Sequence, residues 1–457
     1  MSEREGICIP PATFHRLVMH ILKIIHGYPL RYNAGSEVYS QSICNELSQQ
    51  HRVSIFTREE NPFRPDFEVR EVHETATRTI YLTNMPRAKD GYRHEQLDRN
   101  FGKLVDRLKP DIAHIGHLNH LSTGIVDELV QRSIPIVFTL HDFWLMCPRG
   151  QFLQRNFGEA DEPYKACEGQ EHQKCATTCY SMYFSGKPED RHRDIRYWTD
   201  WIRGRMEETR SLHKKVDLFL APSRYLMERF LRDFNLPAAQ VQYLDYGFPL
   251  HYLTTLHAKA TEVFTFGYIG THIPAKGIHH LIEAFSKLQG KALLRIWGRS
   301  LAQETAALKQ LLQEHVQNGN AVEWMGEYIN QNIADAVFRH CDGIVVPSIW
   351  GENAPLVIHE AQACRVPVIT ADFGGMKEYV QHQVNGLLFE HRNPAALAAQ
   401  MQWALDQPDA FRVLGQRGYL HTPDGGIPEI EVHCRELLSI YQHTIKNHEQ
   451  RILETHP

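Results

Sequence analysis

The stretch Pro347–Glu360, PSIWGENAPLVIHE, indicates the fold class of this 457-residue chain. A buried strand-like run at 343–346 leads into it, and an apolar helical pattern continues to about Ala363. Pro355 suits the first position of that helix, where its missing N–H costs nothing. The stretch therefore predicts a strand, a loop carrying Glu352 and a helix, whose exposed amides and dipole favour an anion such as a diphosphate.

The same alternation of strands and helices extends in both directions from this stretch. Such alternation is typical of parallel sheets covered by helices. The predicted strands are 21–26, 53–56, 111–117, 136–140, 216–221, 263–269, 292–297, 322–325, 343–346 and 368–370. The predicted helices include 36–47, 93–108, 224–234 and 277–288.

Length and pattern together predict an α/β chain with two doubly wound, Rossmann-like domains that face each other across a cleft. We place the first at 19–245, with a Cys-containing insertion at 147–180, and the second at 263–425. Residues 246–262 predict a hinge, because Gly, Pro and polar residues are frequent there. We expect residues 1–18 to be a disordered leader, and residues 426–457 to form a helix that packs back on the first domain.

The composition argues against several classes of protein. The net charge is -5, so the chain has no electrostatic signature of a nucleic-acid partner. No run of 18 apolar residues is present, and the N-terminal residues lack a signal peptide, so we expect a cytoplasmic protein. Nine cysteines, an odd number in a large chain, favour a reducing compartment.

Glu352 and Glu360 are the strongest candidate site residues. Two carboxylates beside a phosphate site would repel the phosphate unless they bind another part of the ligand. Sugar hydroxyls are such a part, because they donate strong hydrogen bonds to carboxylates. The alternative interpretation is a pair of solvated charges on a helix.

This region resembles the Glu-seven-residues-Glu motif of retaining GT-B glycosyltransferases, family four or group 1. The segments Pro367–Thr370, Phe373–Glu378 and Asn385-Gly386 match the next elements of that family in order and spacing. The resemblance implies a GT-B fold and transfer of a sugar from a nucleoside diphosphate donor to an acceptor hydroxyl, with retained anomeric configuration. It implies no cofactor for catalysis. It also implies that Glu360 binds the ribose and that Glu352 contacts the donor sugar near the reacting carbon.

The resemblance assigns roles to further residues. Lys276, between a strand and a helix, would neutralise the leaving diphosphate together with the helix end at Ala354. The family's usual Arg is Thr271 here, and Arg299 is the candidate that compensates. The predicted catalytic set is His141, Lys276 and Glu352; the predicted donor-binding set is Gly35, Ser36, Thr271, Arg299, Asn353, Ala354, Pro355, Leu356, Glu360 and Glu378.

Several of these residues also have plainer interpretations. Gly35 belongs to a loop that resembles the family's glycine-rich loop, although Ala34 replaces one glycine, and it could be an ordinary tight turn. His141 lies at the carboxyl end of a predicted strand, where site residues collect, but could be a core histidine. Lys276 could be a surface lysine. Glu378 could cap a helix or contact the hinge.

Four cysteines form a separate candidate site. Cys147, Cys167, Cys175 and Cys179 are separated by 19, 7 and 3 residues, and four thiolates can hold a structural zinc. His172 is a competing ligand, and a disulfide pair or free thiols are the alternatives.

The segment 191–212 predicts a helix with an apolar stripe and many arginines. The stripe fits either a helix on the inner membrane surface or a helix that packs within the domain. Two rival functions also stay open. One is a GT-B-fold sugar-nucleotide epimerase. The other is a sugar-nucleotide-binding protein that has lost catalysis, which the departures at Thr271 and Ala34 suggest.

Overall fold

A computed structural model describes residues 18–29, 31–86, 91–155, 164–253, 262–316 and 320–455. These residues form two α/β lobes, each built on a largely parallel sheet with helices packed against it. The arrangement confirms the predicted fold class of two Rossmann-like units in tandem. The predicted leader lies almost wholly outside the described residues, as do residues 254–261 of the predicted hinge.

The N-terminal lobe contains an eight-stranded sheet in the order β10-β9-β6-β5-β1-β2-β4-β3. Its central strand β1, His20–Ile24, is buried along its whole length and pairs in parallel with both neighbours. The strands are β1 His20–Ile24, β2 Arg52–Glu59, β3 Val69–His73, β4 Arg78–Asn84, β5 Ile112–Ile115, β6 Ile136–Thr139, β7 Leu153–Gln154, β8 Lys165–Ala166, β9 Leu218–Ala221 and β10 Val241–Tyr243; β7 and β8 form a separate hairpin. The helices are α1 Gly35–Leu47, α2 Glu95–Leu108, α3 Gly124–Val130, α4 His172–Cys179, α5 Arg191–Ser211 and α6 Arg224–Asp233.

The edge of this sheet differs from the sequence expectation. Strands β3, β4 and β10 were not predicted, and β3 is antiparallel to β4. The side chains of β3 are exposed or half-buried, so its sequence lacks the apolar run that marks a central strand.

The C-terminal lobe contains a six-stranded parallel sheet in the order β13-β12-β11-β14-β15-β16. The strands are β11 Phe264–Ile269, β12 Ala292–Trp297, β13 Ala321–Gly326, β14 Gly343–Val346, β15 Val368–Ala371 and β16 Gly386–Phe389. The helices are α7 Ile278–Ser286, α8 Ala302–His315, α9 Ile333–Ala336, α10 Leu356–Ala363, α11 Met376–Tyr379, α12 Pro394–Asp406, α13 Pro408–Gln416 and α14 Ile430–Thr455. The order reverses at β11 and β14, the position where doubly wound sheets bind ligands beyond their carboxyl ends.

Helix α14 packs on the N-terminal lobe. Its Tyr441 hydroxyl lies 2.6 Å from His114 Nδ1 on β5, and His433 Nε2 lies 2.8 Å from the Tyr39 hydroxyl on α1. The segment before α14 runs beside the first connection between the lobes, since the Phe248 amide donates to the Pro428 carbonyl. The two lobes are therefore joined by two adjacent stretches of chain.

Helix α5 packs inside the insertion of the N-terminal lobe. Ile195 is half-buried, while Trp198, Ile202 and Met206 lie in a buried cluster with residues of α4. The apolar stripe thus serves packing, the second of the two interpretations, and is not free to contact a membrane surface. Among the described residues, no helix combines the length and the apolar character that crossing a bilayer requires.

Candidate active site

A cavity of about 390 Å³ lies between the lobes, beyond the carboxyl ends of their parallel strands. Of the sequence-predicted catalytic and donor-binding residues, all but Glu378 line it. The residues that line it are His141, Lys276, Glu352, Gly35, Ser36, Thr271, Arg299, Asn353, Ala354, Pro355, Leu356 and Glu360. We refer to this cavity as the cleft, and to the contributions of the two lobes as its N-terminal and C-terminal walls.

Glu352 is buried on the C-terminal wall, and three donors converge on its Oε1 atom. The Lys276 ammonium lies 2.6 Å away, the Ser348 hydroxyl 2.6 Å and the Trp350 indole N–H 2.9 Å. Three donors on one oxygen hold the carboxylate in one orientation. Its other oxygen accepts no hydrogen bond from the described residues, so it can serve a ligand.

Lys276 reaches this position because of the turn that carries it. A single 3-10 turn, Pro274–Lys276, follows β11, and Gly277 ends it with φ +68°. A Cβ atom on Gly277 would lie 1.8 Å from the Pro347 carbonyl oxygen. Only glycine allows the backbone of the two loops to approach so closely, and this approach brings the lysine over Glu352.

Glu360 is buried in α10, and no hydrogen-bond donor in the described part of the chain contacts its carboxylate. Burial raises its pKa from 4.5 to about 7. A carboxylate that is desolvated without a partner is costly unless a ligand supplies the missing donors. Pro355 is the N-cap of α10 and not its first helical residue, because its ψ of 116° is extended.

Asn353 connects the two walls. Its Nδ2 donates to the carbonyl of Leu140 at 3.2 Å and to the Tyr246 hydroxyl at 3.3 Å, while its Oδ1 accepts from Ser223 Oγ at 2.6 Å. Its backbone adjoins the start of α10. This buried side chain therefore holds the donor-side helix against the N-terminal lobe.

His141 lies on the N-terminal wall, directly after β6. Its Nδ1 is 2.6 Å from the Tyr246 hydroxyl, and its Nε2 has no hydrogen-bond partner among the described residues. Burial, with smaller effects of Lys23 and His117, holds the pKa of this imidazole well below 6.5. His141 is therefore neutral near pH 7, and its unpartnered Nε2 is enclosed by the protein.

The remaining predicted donor residues surround the cleft. Gly35 and Ser36 begin α1, where a Cβ on Gly35 would be 3.6 Å from Leu356 of the opposite wall. Thr271 is half-buried after β11, and Arg299 is exposed at the rim. Arg299 is thus the one arginine on the cleft wall within the described residues.

Glu378 lies outside the cleft. Its carboxylate accepts from the backbone amides of Arg224 at 2.9 Å and Tyr225 at 2.5 Å, at the N-terminus of α6. The helix-cap interpretation therefore describes its contacts, and the donor contact stays a prediction. The residue connects the C-terminal lobe to a helix of the N-terminal lobe.

The four cysteines of the insertion line one small cavity of about 10 Å³, and their thiols are free. Burial raises the pKa of Cys175 to about 12. His172 is not among the lining residues, and its Nδ1 lies 2.9 Å from Gln170 Nε2. Within the described ranges, no three His, Cys, Asp or Glu side chains are arranged to hold a metal ion, and the structural zinc stays a prediction.

Sequence reasoning missed several residues of the cleft. Ser348 and Trp350 stand within the quoted motif, and their donor groups close to Glu352 could have been noticed. Glu327 and Tyr328 directly follow β13, so the rule that sites form at the carboxyl ends of strands could have found them. The N-terminal wall also contains His26, Glu37, His117, Asp142 and Tyr246, which are spread through the sequence without a local pattern.

Comparison with known families agrees with this architecture. The family "Glycosyl transferases group 1" matches residues 256–421, and "Glycosyltransferase Family 4" matches residues 34–250. The two matches correspond to the two lobes, and together they cover most of the chain.

Individual relatives match over shorter stretches. An uncharacterized glycosyltransferase of Methanocaldococcus jannaschii is 29% identical over 157 residues, which is 34% of this chain and 42% of that protein. A D-inositol 3-phosphate glycosyltransferase of Thermobispora bispora is 38% identical over 85 residues, 19% of this chain and 20% of that protein. The chain thus spans less than half the length of these curated relatives.

Solved structures match over the whole fold. Sucrose-phosphate synthase from Thermosynechococcus elongatus superposes with a TM-score of 0.68 and 18% identity, over 94% of this chain and all of that one. Anabaena HepE in complex with UDP and glucose gives 0.61 and 16% identity, over 96% and 99% of the two chains. With both lobes matched and the cleft between them, the chain belongs to the group 1 glycosyltransferases of the GT-B fold.

Proposed function

We propose that this glycosyltransferase moves a sugar from a nucleoside diphosphate donor to an acceptor hydroxyl and retains the anomeric configuration. One observation carries the proposal: Glu352, Glu360 and Lys276 line the same cleft, facing His141 of the opposite lobe. A ribose hydroxyl would supply the donor that Glu360 lacks, and the sugar would contact the free oxygen of Glu352.

The departing diphosphate needs positive charge where its own negative charge develops. The Lys276 ammonium is already oriented by Glu352, and the first amides of α10 are free to donate at the same wall. Fixed donors of this kind stabilise a transition state without reorganising, which supports metal-free departure of the nucleotide. Arg299 at the rim would supply a second cation in place of the arginine missing at Thr271.

Retention is the finer part of the proposal. A double displacement would need a carboxylate on the face of the sugar opposite the diphosphate, whereas Glu352 contacts Lys276, the group proposed to hold that diphosphate. Attack of the acceptor on the face that the diphosphate leaves is compatible with this arrangement. The diphosphate oxygen would then take the acceptor proton, and His141, neutral and half-buried, would orient the donor sugar.

Solved structures of the same fold suggest which donors to test first. Their titles include UDP and UDP-glucose for Anabaena HepE, and ADP for a starch synthase of Arabidopsis thaliana. We therefore propose a nucleoside diphosphate sugar as donor, and leave the base and sugar to a panel of UDP-, ADP- and GDP-linked hexoses.

The test is a thermal-shift screen of that panel, followed by NMR analysis of reactions with and without sugar acceptors. Transfer with the donor's anomeric configuration in the product is expected. An inverted product would refute retention. Conversion of the donor into an epimer without acceptor would indicate the epimerase. Binding without transfer or hydrolysis would indicate a binding protein that has lost catalysis.

A further inference from the structure

The N-terminal wall carries a row of polar side chains that the transfer of the donor does not use. Glu37 Oε1 lies 3.3 Å from His26 Nε2, the rings of His26 and His117 are 4.5 Å apart, and His117 Nε2 lies 3.3 Å from Asp142 Oδ1. With His141 these residues form a continuous surface of the cleft, which we call the acceptor patch.

The hydrogen bonds within the patch fix which atoms donate. The backbone amide of Asn119 donates to His117 Nδ1 at 2.9 Å, so the proton of His117 is on Nε2 and points to Asp142. Burial, followed by His117 and Arg58, holds the pKa of His26 well below 6.5. His26 is therefore neutral, and we place its one ring proton on Nε2, from which it can donate to Glu37.

The same reasoning applies to His141. Asn353 Nδ2 donates to the Tyr246 hydroxyl, and that hydroxyl is then free to donate to His141 Nδ1. His141 Nε2 has no partner among the described residues and is enclosed by the protein.

One atom of the patch is open to a ligand. Asp142 Oδ1 accepts from the Trp144 amide at 2.7 Å, while its Oδ2 accepts no hydrogen bond within the described residues. His26 Nδ1 and His141 Nε2 also lack partners among those residues, but both atoms are enclosed by the protein. A hydroxyl group can donate to the open oxygen of Asp142, whereas an anion can only accept.

The charges of the cleft wall also favour an uncharged acceptor. Among the described residues, the cations on the cleft wall are Lys276 and Arg299, and both belong to the C-terminal lobe. The N-terminal wall contributes the carboxylates Glu37 and Asp142 instead. A phosphate group on the acceptor would meet these carboxylates with no Lys or Arg among the described lining residues of this wall to offset them, and juxtaposed like charges are unfavourable.

An apolar acceptor fits no better. In the described part of the chain, Val38 is the one aliphatic side chain larger than alanine that the N-terminal wall presents to the cleft. A lipid chain would leave the polar atoms of the patch desolvated without partners, which is unfavourable.

We propose that the acceptor is an uncharged polyol or sugar, and that Asp142 accepts a hydrogen bond from one of its hydroxyls. This inference rests on the proposed function and names the substrate class of the same cleft. It makes Asp142 a specificity-determining residue, with His117 as the residue that positions it.

The experiment compares matched acceptors with one donor. Free glucose and myo-inositol are each paired with their phosphate monoesters, and a polyprenyl phosphate is included. We expect kcat/KM for each neutral member to exceed that of its phosphate ester by at least about tenfold. Preferred transfer to the esters or to the polyprenyl phosphate, or equal use of both members of a pair, would overturn the inference.

Asp142→Asn sharpens the test, because it keeps the shape and removes the charge. It should lower kcat/KM for the neutral acceptor by about 10- to 100-fold, since hydrogen bonds to a charged group are worth about 1.5–3 kcal/mol. It should also lower the ratio of kcat/KM for the neutral acceptor to kcat/KM for its phosphate ester. The Kd of the donor should stay unchanged. An unaltered acceptor preference would overturn the role of Asp142.

The control is Asp409→Asn, whose side chain is 94% exposed and outside the cleft lining. Donor hydrolysis without acceptor is followed in parallel by release of the nucleoside diphosphate. If the protein binds and hydrolyses the donor but does not prefer the neutral acceptors, this inference is rejected and the proposed function stands. Absence of donor binding and of hydrolysis would reject the proposed function, and the acceptor class with it.

Discussion

The two walls of the cleft satisfy their polar groups in opposite ways. On the C-terminal wall, Glu352 already holds three donors on one oxygen, whereas Glu360 is buried with none from the described residues. On the N-terminal wall, each carboxylate lies within 3.3 Å of a histidine nitrogen, and Asp142 Oδ2 stays open. The C-terminal wall thus combines a fixed cation with the amides at the start of α10, while the described residues of the N-terminal wall offer carboxylates and no Lys or Arg side chain.

The difference suggests how one cleft could use charge to keep the binding of a donor diphosphate apart from the binding of an acceptor. On the proposed function, a diphosphate would be stabilised where Lys276 and the start of α10 meet, and would be repelled at Glu37 and Asp142. The donor would then have one favourable orientation, with its nucleotide on the C-terminal wall and its sugar toward the other.

The largest expected effect tests whether the C-terminal wall acts as a unit. Lys276→Met and Glu352→Gln should each lower the transfer rate by about 100- to 1000-fold, because the leaving group loses an oriented charge. Since the two side chains share a hydrogen bond, the double variant should be little worse than either single one. Initial rates at saturating donor measure this.

The matched control for that pair is Lys287→Met with Glu283→Gln, an exposed i,i+4 ion pair on α7. Full transfer activity of Glu352→Gln with the true donor and acceptor would contradict its assignment. Additive losses in the double variant would show that the two groups act separately.

Glu360→Gln tests the unpartnered carboxylate. Its folded pKa of about 7 exceeds the ordinary 4.5, so the folded protein binds this proton more tightly and loses stability as pH rises from about 4.5 to 7. The cost of the charge at pH 8 is up to about 3 kcal/mol. The amide variant, which cannot ionise, should therefore melt at a higher temperature than the wild type at pH 8, with a smaller difference at pH 5.

The same variant should bind the donor about tenfold or more weakly, because the ribose loses a charged acceptor. Calorimetry with the donor and thermal melts at both pH values separate the two effects. Glu95→Gln, with an 85% exposed side chain, is the control. Equal melting temperatures of Glu360→Gln and wild type at pH 8 would argue against a buried charge.

The smallest effect concerns the contact that keeps the two walls facing each other. Glu378→Ala removes the cap of α6, which should cost about 1–2 kcal/mol and lower the melting temperature by a few degrees. Ser223→Ala, which removes both an N-cap of the same helix and the bond to Asn353, should also reduce transfer. A loss of donor affinity in Glu378→Ala as large as in Glu360→Gln would mean that Glu378 contacts the donor after all.

The sequence allowed the C-terminal wall to be predicted because its residues are neighbours along the chain. Glu352, Asn353 and Glu360 follow one strand, so strand, loop and helix periodicity brings them together. The N-terminal wall is assembled from positions 26, 37, 117 and 142, which only the pairing of β1, β2, β5 and β6 makes adjacent. The order in which strands pair depends on residues far apart in the sequence, so no local pattern predicts it.

Glu378 shows a different limit of local spacing. It follows a glycine pair directly after β15, where a donor contact is reasonable, yet the orientation of α11 turns it toward α6. Local spacing predicts that a residue is close to a site, while the direction of its side chain depends on which lobe packs against it.

The packing of α14 has a consequence for how the chain matures. Tyr39 on α1 and His114 on β5 find partners 394 and 327 residues further along the chain. During synthesis the first lobe can form its sheet early, but one of its faces stays uncovered until His433 and Tyr441 have left the ribosome. The earliest-made half is therefore the last to be completed, and an interrupted translation product would expose an apolar surface to chaperones or aggregation.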